Sequence, residues 1–289
     1  MKIVRIDGGL GNQMFCYAFA VALAEASGEE VLLDTHRYKF FPNHNGYELP
    51  DIFNVRFHDA NMRQLWKVTY PAKSVLMSRI FYRLPHRRSE IVENYCKCYP
   101  DIFKNPRDGY YIGNWQWYKY FDNIREKVFS HLSFKKLLTG QNLELYRRLV
   151  GKDNTVSIHI RRGDYLSTLD YCNICDLEYY SRAINLVREH LGHSGHFAIF
   201  SNDMAWCAEH ISPLLSEDEV TMVDWNNGTE SYNDIRLMSA SRINIVANSS
   251  FSWWGAYMNS RTDKMVIAPE RWINRPLEYR IQCDDWICI

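Results

Sequence analysis

From Val156 to Tyr165 the chain reads V-S-I-H-I-R-R-G-D-Y. Val156, Ile158 and Ile160 alternate with Ser157 and His159, the two-residue period of a strand. That strand runs straight into two arginines, a glycine and an aspartate. Open α/β sheets collect their ligands at the carboxyl ends of strands, so Arg161 and Arg162 stand where a ligand would. A planar guanidinium binds oxygens in pairs and keeps its charge, which suits a phosphate. Gly163 allows a tight turn, and Asp164 can orient an arginine or cap the next turn of chain. The same residues also fit a plainer reading, an ion pair of Arg161 or Arg162 with Asp164 that only closes the turn.

Outward from this stretch, strands and helices alternate. Leu177 to Leu191 is an amphipathic helix with Tyr180, Ile184, Val187 and Leu191 on one face, ended by Gly192. Phe197–Phe200 is a strand that stops at Ser201-Asn202-Asp203, and Met204 to Ile211 is helical. Val220–Val223 ends at Asp224, Asn233 to Ala240 is helix, Ile243–Ala247 strand and Ser252 to Asn259 helix. Met265–Ala268 closes the series. At the amino end, residues 2–6 form a strand, Asp7 to Asn12 a glycine-rich turn, and Gln13 to Ala26 a helix carrying Phe15, Phe19, Ala22, Leu23 and Ala26. Gly28 stops it, and Val31-Leu32-Leu33 is a strand ending at Asp34. Such alternation calls for parallel, doubly wound sheets. A chain of 289 residues is natural for two domains of about 150 each. The predicted architecture is α/β: two Rossmann-type domains, 1–150 and 151–289, facing a central cleft that holds the active site. Residues 35–110, rich in aromatics, prolines and basic groups, allow no strand order to be drawn.

Hydrophobic residues make up 46% and charged residues 24%, the composition of a globular protein with a proper core. Basic and acidic residues number 34 each, which argues against nucleic acid as a partner. The start, M-K-I-V-R-I-D-G-G, lacks the apolar region of a signal peptide, and no run of about 18 apolar residues occurs. A cytoplasmic location is expected, with membrane association through one segment. Between Ala60 and Ser89 lie Arg63, Lys67, Lys73, Arg79, Arg83, Arg87 and Arg88 with no acid, interleaved with Trp66, Tyr70, Phe81 and Tyr82. This is either a solvated helical face or a surface, over 63–88, that meets anionic lipid or the acceptor. The eight cysteines include Cys172-x-x-Cys175 and Cys96-x-Cys98. The pairs are far apart without a zinc framework, so reduced thiols are expected and no metal site.

Asn248-Ser249-Ser250-Phe251-Ser252-Trp253-Trp254-Gly255 follows a strand and opens a helix. A helix start leaves backbone N–H groups free and favours an anion. Ser249 and Ser250 could cradle a pyrophosphate, or the segment could simply be N-capped by Asn248 or Ser250. Asp203 could bind ribose hydroxyls or a guanine edge, or cap the helix from Met204. Asp234 could serve the base or pair with Arg236. Gly8-Gly9-x-Gly11-Asn12 is neither the dinucleotide fingerprint nor a Walker loop. Its glycines would permit close backbone approach to a ligand, or only strand-to-helix packing, with Asn12 and Gln13 as side-chain donors and acceptors. No D-x-D occurs in the chain. If a nucleoside diphosphate leaves, arginine and helix amides must neutralise it in place of a divalent ion.

Together, D-G-G-L-G-N-Q-M-F, H-I-R-R-G-D-Y, F-S-N-D and A-N-S-S-F-S-W-W-G-A resemble the bacterial α-1,2-fucosyltransferases of glycosyltransferase family 11. The likeness runs from residue 3 to about residue 268 with the motifs in the same order. It implies a GT-B-like fold, with GDP-β-L-fucose bound by the carboxyl-terminal half and the acceptor, a β-galactoside, by the amino-terminal half. The H-x-R-R-G-D block is similar to one in α-1,6- and protein O-fucosyltransferases whose first arginine meets the donor pyrophosphate. That role maps to Arg161, with His159, Arg162 and Asp164 beside it on the donor side. Asn248, Ser249, Ser250 and Phe251 map to the phosphates and Asp203 to the guanosine. G-N-Q resembles a block with an asparagine at the reaction centre, which maps to Asn12. Asp7, Gly9, Gly11, Asp34 and His36 remain as acceptor-side or general-base candidates. The implied reaction inverts the anomeric carbon and needs neither metal nor cofactor, GDP-fucose being a substrate. Rival readings are a GDP-sugar transferase with another acceptor, as in protein O-fucosyltransferases, and a non-catalytic nucleotide-sugar binding module.

Overall fold

The computed structural model describes residues 1–40, 44–72, 74–81 and 83–289; Lys73 and Tyr82 of the basic segment lie outside them. Two compact units result, Met1–Lys136 with Leu277–Tyr279, and Leu137–Pro276 with Arg280–Ile289. The division falls ahead of the expected 150/151. Helix Gly140–Gly151 buries Leu145 and Leu149, and its Asn142 exchanges hydrogen bonds with Asn226, so it belongs to the second unit.

The first unit is built on strands β1 (Lys2–Arg5), β2 (Val31–Asp34), β3 (Glu90–Val92) and β4 (Gly109–Ile112). They are all parallel, in the order β2-β1-β4-β3. Helix α1 (Leu10–Ser27) covers one face: Phe19 lies 5.8 Å from Tyr111 and stacks on Trp115 at 4.0 Å. On the other face Ile3, Leu32 and Tyr110 pack against Ala60, Leu65 and Val68. The last two come from helix Met62–Val68, which opens with a capping box of Asn61 and Gln64. The irregular middle thus contains the edge strand β3 and the start of its neighbour β4. The first helix starts at Leu10 rather than Gln13, because Gly9 is extended and Leu10 is already buried in the core. Gly11 and Asn12 therefore belong to its first turn and not to a loop.

The second unit carries β5 (Thr155–Ile160), β6 (His196–Ser201), β7 (Glu219–Val223), β8 (Ile243–Ile245), β9 (Met265–Ala268) and β10 (Ile287–Cys288). Their order is β10-β9-β8-β5-β6-β7, again all parallel. Val156, Ile158 and Ile160 pack with Tyr180, Ile184 and Val187 of helix Leu177–Leu191, as the periodicity requires. Asp176 caps that helix by accepting the Tyr179 N–H, and Gly192 ends it at φ +68°. The helix after β8 runs Ser250–Tyr257, two residues ahead of its expected start. Trp253 and Trp254 are fully buried, and Trp253 donates Nε1–H to the Ile281 carbonyl at 2.8 Å. They fill the core rather than stack on a ligand.

Candidate active site

Because β5 lies between β8 and β6 and all three are parallel, Arg161, Asn202-Asp203 and Ser249 emerge at one edge of the sheet. The two arginines, adjacent in sequence, have different surroundings. Arg162 donates Nε–H to Asp203 Oδ2 at 3.0 Å, and its guanidinium lies 4.0 Å above the centre of the Trp206 ring. Asp203 Oδ1 also accepts the Trp206 N–H, so this aspartate caps the helix from Met204 and clamps Arg162 at once. Arg161 pairs with Asp164 at 2.7 Å and lies over Tyr165, yet its Nε is buried with no acceptor. Gly163 sits at φ +49°, and a Cβ there would come within 2.5 Å of Asn202 Nδ2. Only glycine lets Asn202 approach to accept the Arg162 N–H at 2.9 Å.

Ser249 is the N-cap of helix Ser250–Tyr257, accepting the Phe251 N–H. Tyr165, under the Arg161 guanidinium, stacks on Tyr171 at 4.8 Å. Sequence reading passed over it because a tyrosine after R-R-G-D carries no pattern of its own. Burial pushes its hydroxyl up to about 12, so it is a neutral donor. The His159 ring lies 5.7 Å from Phe251. Burial, and then Arg161, push its pKa down to about 3, so the imidazole is neutral. Asn248 is buried with its amide spent on the Tyr171 and Trp272 carbonyls, which fixes the loop ahead of Ser249. Asp234 meets Asn226 Nδ2 at 2.8 Å, and burial raises it to about 7.

In the first unit, Asn12 is the one residue from Leu10 to Leu23 that is not buried, and its Oδ1 accepts Gln116 Nε2 at 2.8 Å. Gln116 in turn accepts from the Tyr95 hydroxyl at 2.7 Å. Gln13 is spent internally: it donates to the Gly8 and Gly46 carbonyls and accepts the Glu48 N–H. Gly8, at φ +78°, packs against Asn12, and a Cβ on Gly9 would meet the His44 ring at 3.0 Å. Gly11 is buried in the first turn of α1. Asp7 pairs with Arg5 at 3.2 Å.

Asp34 accepts from the His36 N–H, His36 Nδ1 and the Tyr110 hydroxyl. Burial alone would raise its pKa, but these bonds carry it below the ordinary value, which makes it a weak base. Asp34 and His36 line a cavity of about 360 Å³ with Arg5, Arg37, Tyr70 and Phe81. One acid escaped the sequence reading. Glu93 Oε2 accepts the N–H groups of Asn114 and Trp115, while Oε1 is buried without a partner. Burial outweighs those bonds and raises it to about 7.

Among the described residues no three His, Cys, Asp or Glu side chains converge as metal ligands, and all eight cysteines are free. Two parallel α/β units, one of which gathers an arginine and a helix start at a single sheet edge, make a GT-B-like fold. The chain belongs to glycosyl transferase family 11, whose pattern it matches over residues 1–289. It is 32% identical over 283 residues to an α-1,2-colitosyltransferase of Escherichia coli, spanning 94% of this chain and 92% of that one. It is 27% identical to the O-antigen biosynthesis glycosyltransferase WbnK of Escherichia coli, over 98% of both. Human galactoside α-(1,2)-fucosyltransferase 1 is 24% identical over 87% of this chain and 64% of its own. Among solved structures, the NodZ α-1,6-fucosyltransferase soaked with GDP-fucose shares the fold, with a TM-score of 0.54 at 12% identity over 89% of this chain and 91% of that one.

Proposed function

We propose that this enzyme transfers L-fucose from GDP-β-L-fucose to O2 of a β-galactoside, with inversion, in building a surface polysaccharide or oligosaccharide. The observation that carries this is the Arg161 Nε, a buried donor without an acceptor beside the start of helix Ser250–Tyr257. A buried unmet donor is costly, and a diphosphate oxygen satisfies it. As the bond from the anomeric carbon to GDP breaks, negative charge grows on the β-phosphate. Arg161 and the first-turn amides after Ser249 stabilise that charge, the main contribution to rate. With no D-x-D in the sequence, these groups act in place of a divalent ion. Arg162, Asp203 and Asn202 hold the turn that carries Arg161, and Asp203 can also meet the guanosine.

The acceptor belongs to the first unit. Its cavity of about 360 Å³ falls within the ~300–1,000 Å³ of small-ligand sites. Aromatic Tyr70 and Phe81 with polar Arg5, His36 and Arg37 suit sugar rings and their hydroxyls. Asn12, the one partly exposed residue between Leu10 and Leu23, orients the attacking hydroxyl. A second reading of the donor has one observation in its favour: the colitosyltransferase relative at 32% identity. Colitose is fucose without its 3-hydroxyl, so one site chemistry serves both sugars.

The test is GDP release from GDP-fucose in EDTA, with and without lactose, with the product linkage read by NMR. Acceptor-dependent release and a Fucα1-2Gal linkage are expected. Faster release from GDP-colitose would assign the second donor. Donor binding without turnover on any galactoside would leave the binding-module or other-acceptor reading in its place.

A further inference from the structure

The segment from Met62 to Arg88 has two unlike sides. Its inner side covers the sheet through Leu65 and Val68 and lines the cavity through Tyr70, Pro71, Ser78 and Phe81. Its outer side is both apolar and cationic. Leu76 is 67% exposed and Ile80 52%, and Trp66, Leu84 and Val75 are also open to solvent. Leu76 and Ile80, four apart in helix Val75–Phe81, share a face. That helix contains no buried residue among those described. The Trp66 ring stands edge-on to Phe81 at 6.1 Å, a contact that ties the two helices together.

Arg63, Lys67, Arg79, Arg83 and Arg88 are exposed on the same segment. None has an acidic partner among the described residues, and no acid occurs between Ala60 and Ser89. Among the described cations of the segment only Arg87 is tied down, donating to the Trp66 and Thr69 carbonyls and lying over Tyr70. A merely solvated face would not bring large apolar side chains out beside the cations. Apolar groups that insert, ringed by unpaired cations, are what a negatively charged bilayer surface binds.

We propose that this face docks the enzyme peripherally on anionic lipid, the cations meeting head groups and Leu76 and Ile80 entering the acyl boundary. This holds independently of which sugar is transferred. The test is flotation of the full chain with vesicles of phosphatidylcholine alone and with one-third phosphatidylglycerol, at low and high salt. Binding only to the anionic vesicles, weakened by salt, is expected. Each cation removed should weaken it roughly five-fold, so R79A/R83A should lose at least ten-fold, and L76S/I80S should lose binding with its melting temperature unchanged. No binding to anionic vesicles would overturn the proposal. So would equal binding to phosphatidylcholine, wild-type binding by both variants, or self-association through this face in place of lipid binding.

Discussion

Arg161 Nη2 lies 2.7 Å from Asp164 Oδ1, while the Nε of the same guanidinium is buried with no acceptor. Half of this cation's fork is engaged and half is open, as an anion-binding group between substrates would be. Arg161→Ala should leave the fold intact, since the side chain stands at the sheet edge and is 26% exposed. Transfer should fall by about 10²–10³, the usual cost of one such donor. Arg161→Lys should not restore it, because a point charge cannot reproduce the fork. The check is kcat from GDP release beside a thermal melt; a near-normal kcat would withdraw Arg161 from the reaction.

Arg162 should behave differently. It is held by Asp203 and Trp206 and so acts as a support for its neighbour. Arg162→Ala and Asp203→Asn should each raise KM for the donor more than they lower kcat. Their effects on stability should be non-additive by about 1 kcal/mol, modest because both side chains keep some solvent. Chemical denaturation of the two single variants and the double variant measures this. Additive effects would mean that the pair is incidental.

Gly163→Ala tests the turn itself. The left-handed backbone alone costs roughly 1–2 kcal/mol, and the new methyl must also displace Asn202 from 2.5 Å. Gly140→Ala supplies the control, since Gly140 has φ +52° with nothing within 4 Å. Both variants should melt lower, but only Gly163→Ala should weaken GDP binding by calorimetry. Equal GDP affinity in both would separate Asn202 from the donor site.

Much of this was legible in the sequence, and for physical reasons. Alternation at Val156, Ile158 and Ile160 marks a strand because side chains on a strand point to opposite faces. The motif residues at strand ends then fall together because the sheet is parallel. Three things were not legible. Arg161 and Arg162 are the same residue in adjacent places, and only the approach of Asp203 and Trp206 tells them apart. The start of α1 was hidden because Gly8, Gly9 and Gly11 read as one turn, although Leu10 is already core. Glu93 carried no signal, because its burial comes from backbone more than twenty residues away at Asn114 and Trp115.

Glu93 yields the last prediction, a pH dependence of stability. Its Oε2 holds the N–H groups of Asn114 at 2.7 Å and Trp115 at 3.0 Å. Trp115 is fully buried at φ +52°, so the carboxyl anchors a strained turn. Burial raises its pKa from 4.5 to about 7, so the folded chain binds this proton more tightly than the unfolded one. The associated stability is fully present below about pH 4.5 and is lost as pH rises through 7. Asp234, raised to about 7 by burial, acts in the same direction. Glu93→Gln keeps an oxygen for the two amides and removes the charge. It should match the wild type at pH 5 and exceed it at pH 8, by an amount on the order of 1–3 kcal/mol. Adding Asp234→Asn should flatten the remaining slope. Denaturant unfolding at pH 5, 6, 7 and 8 decides the matter: a Glu93→Gln protein less stable than wild type at pH 8 would mean that the carboxylate is ionised and paired when folded.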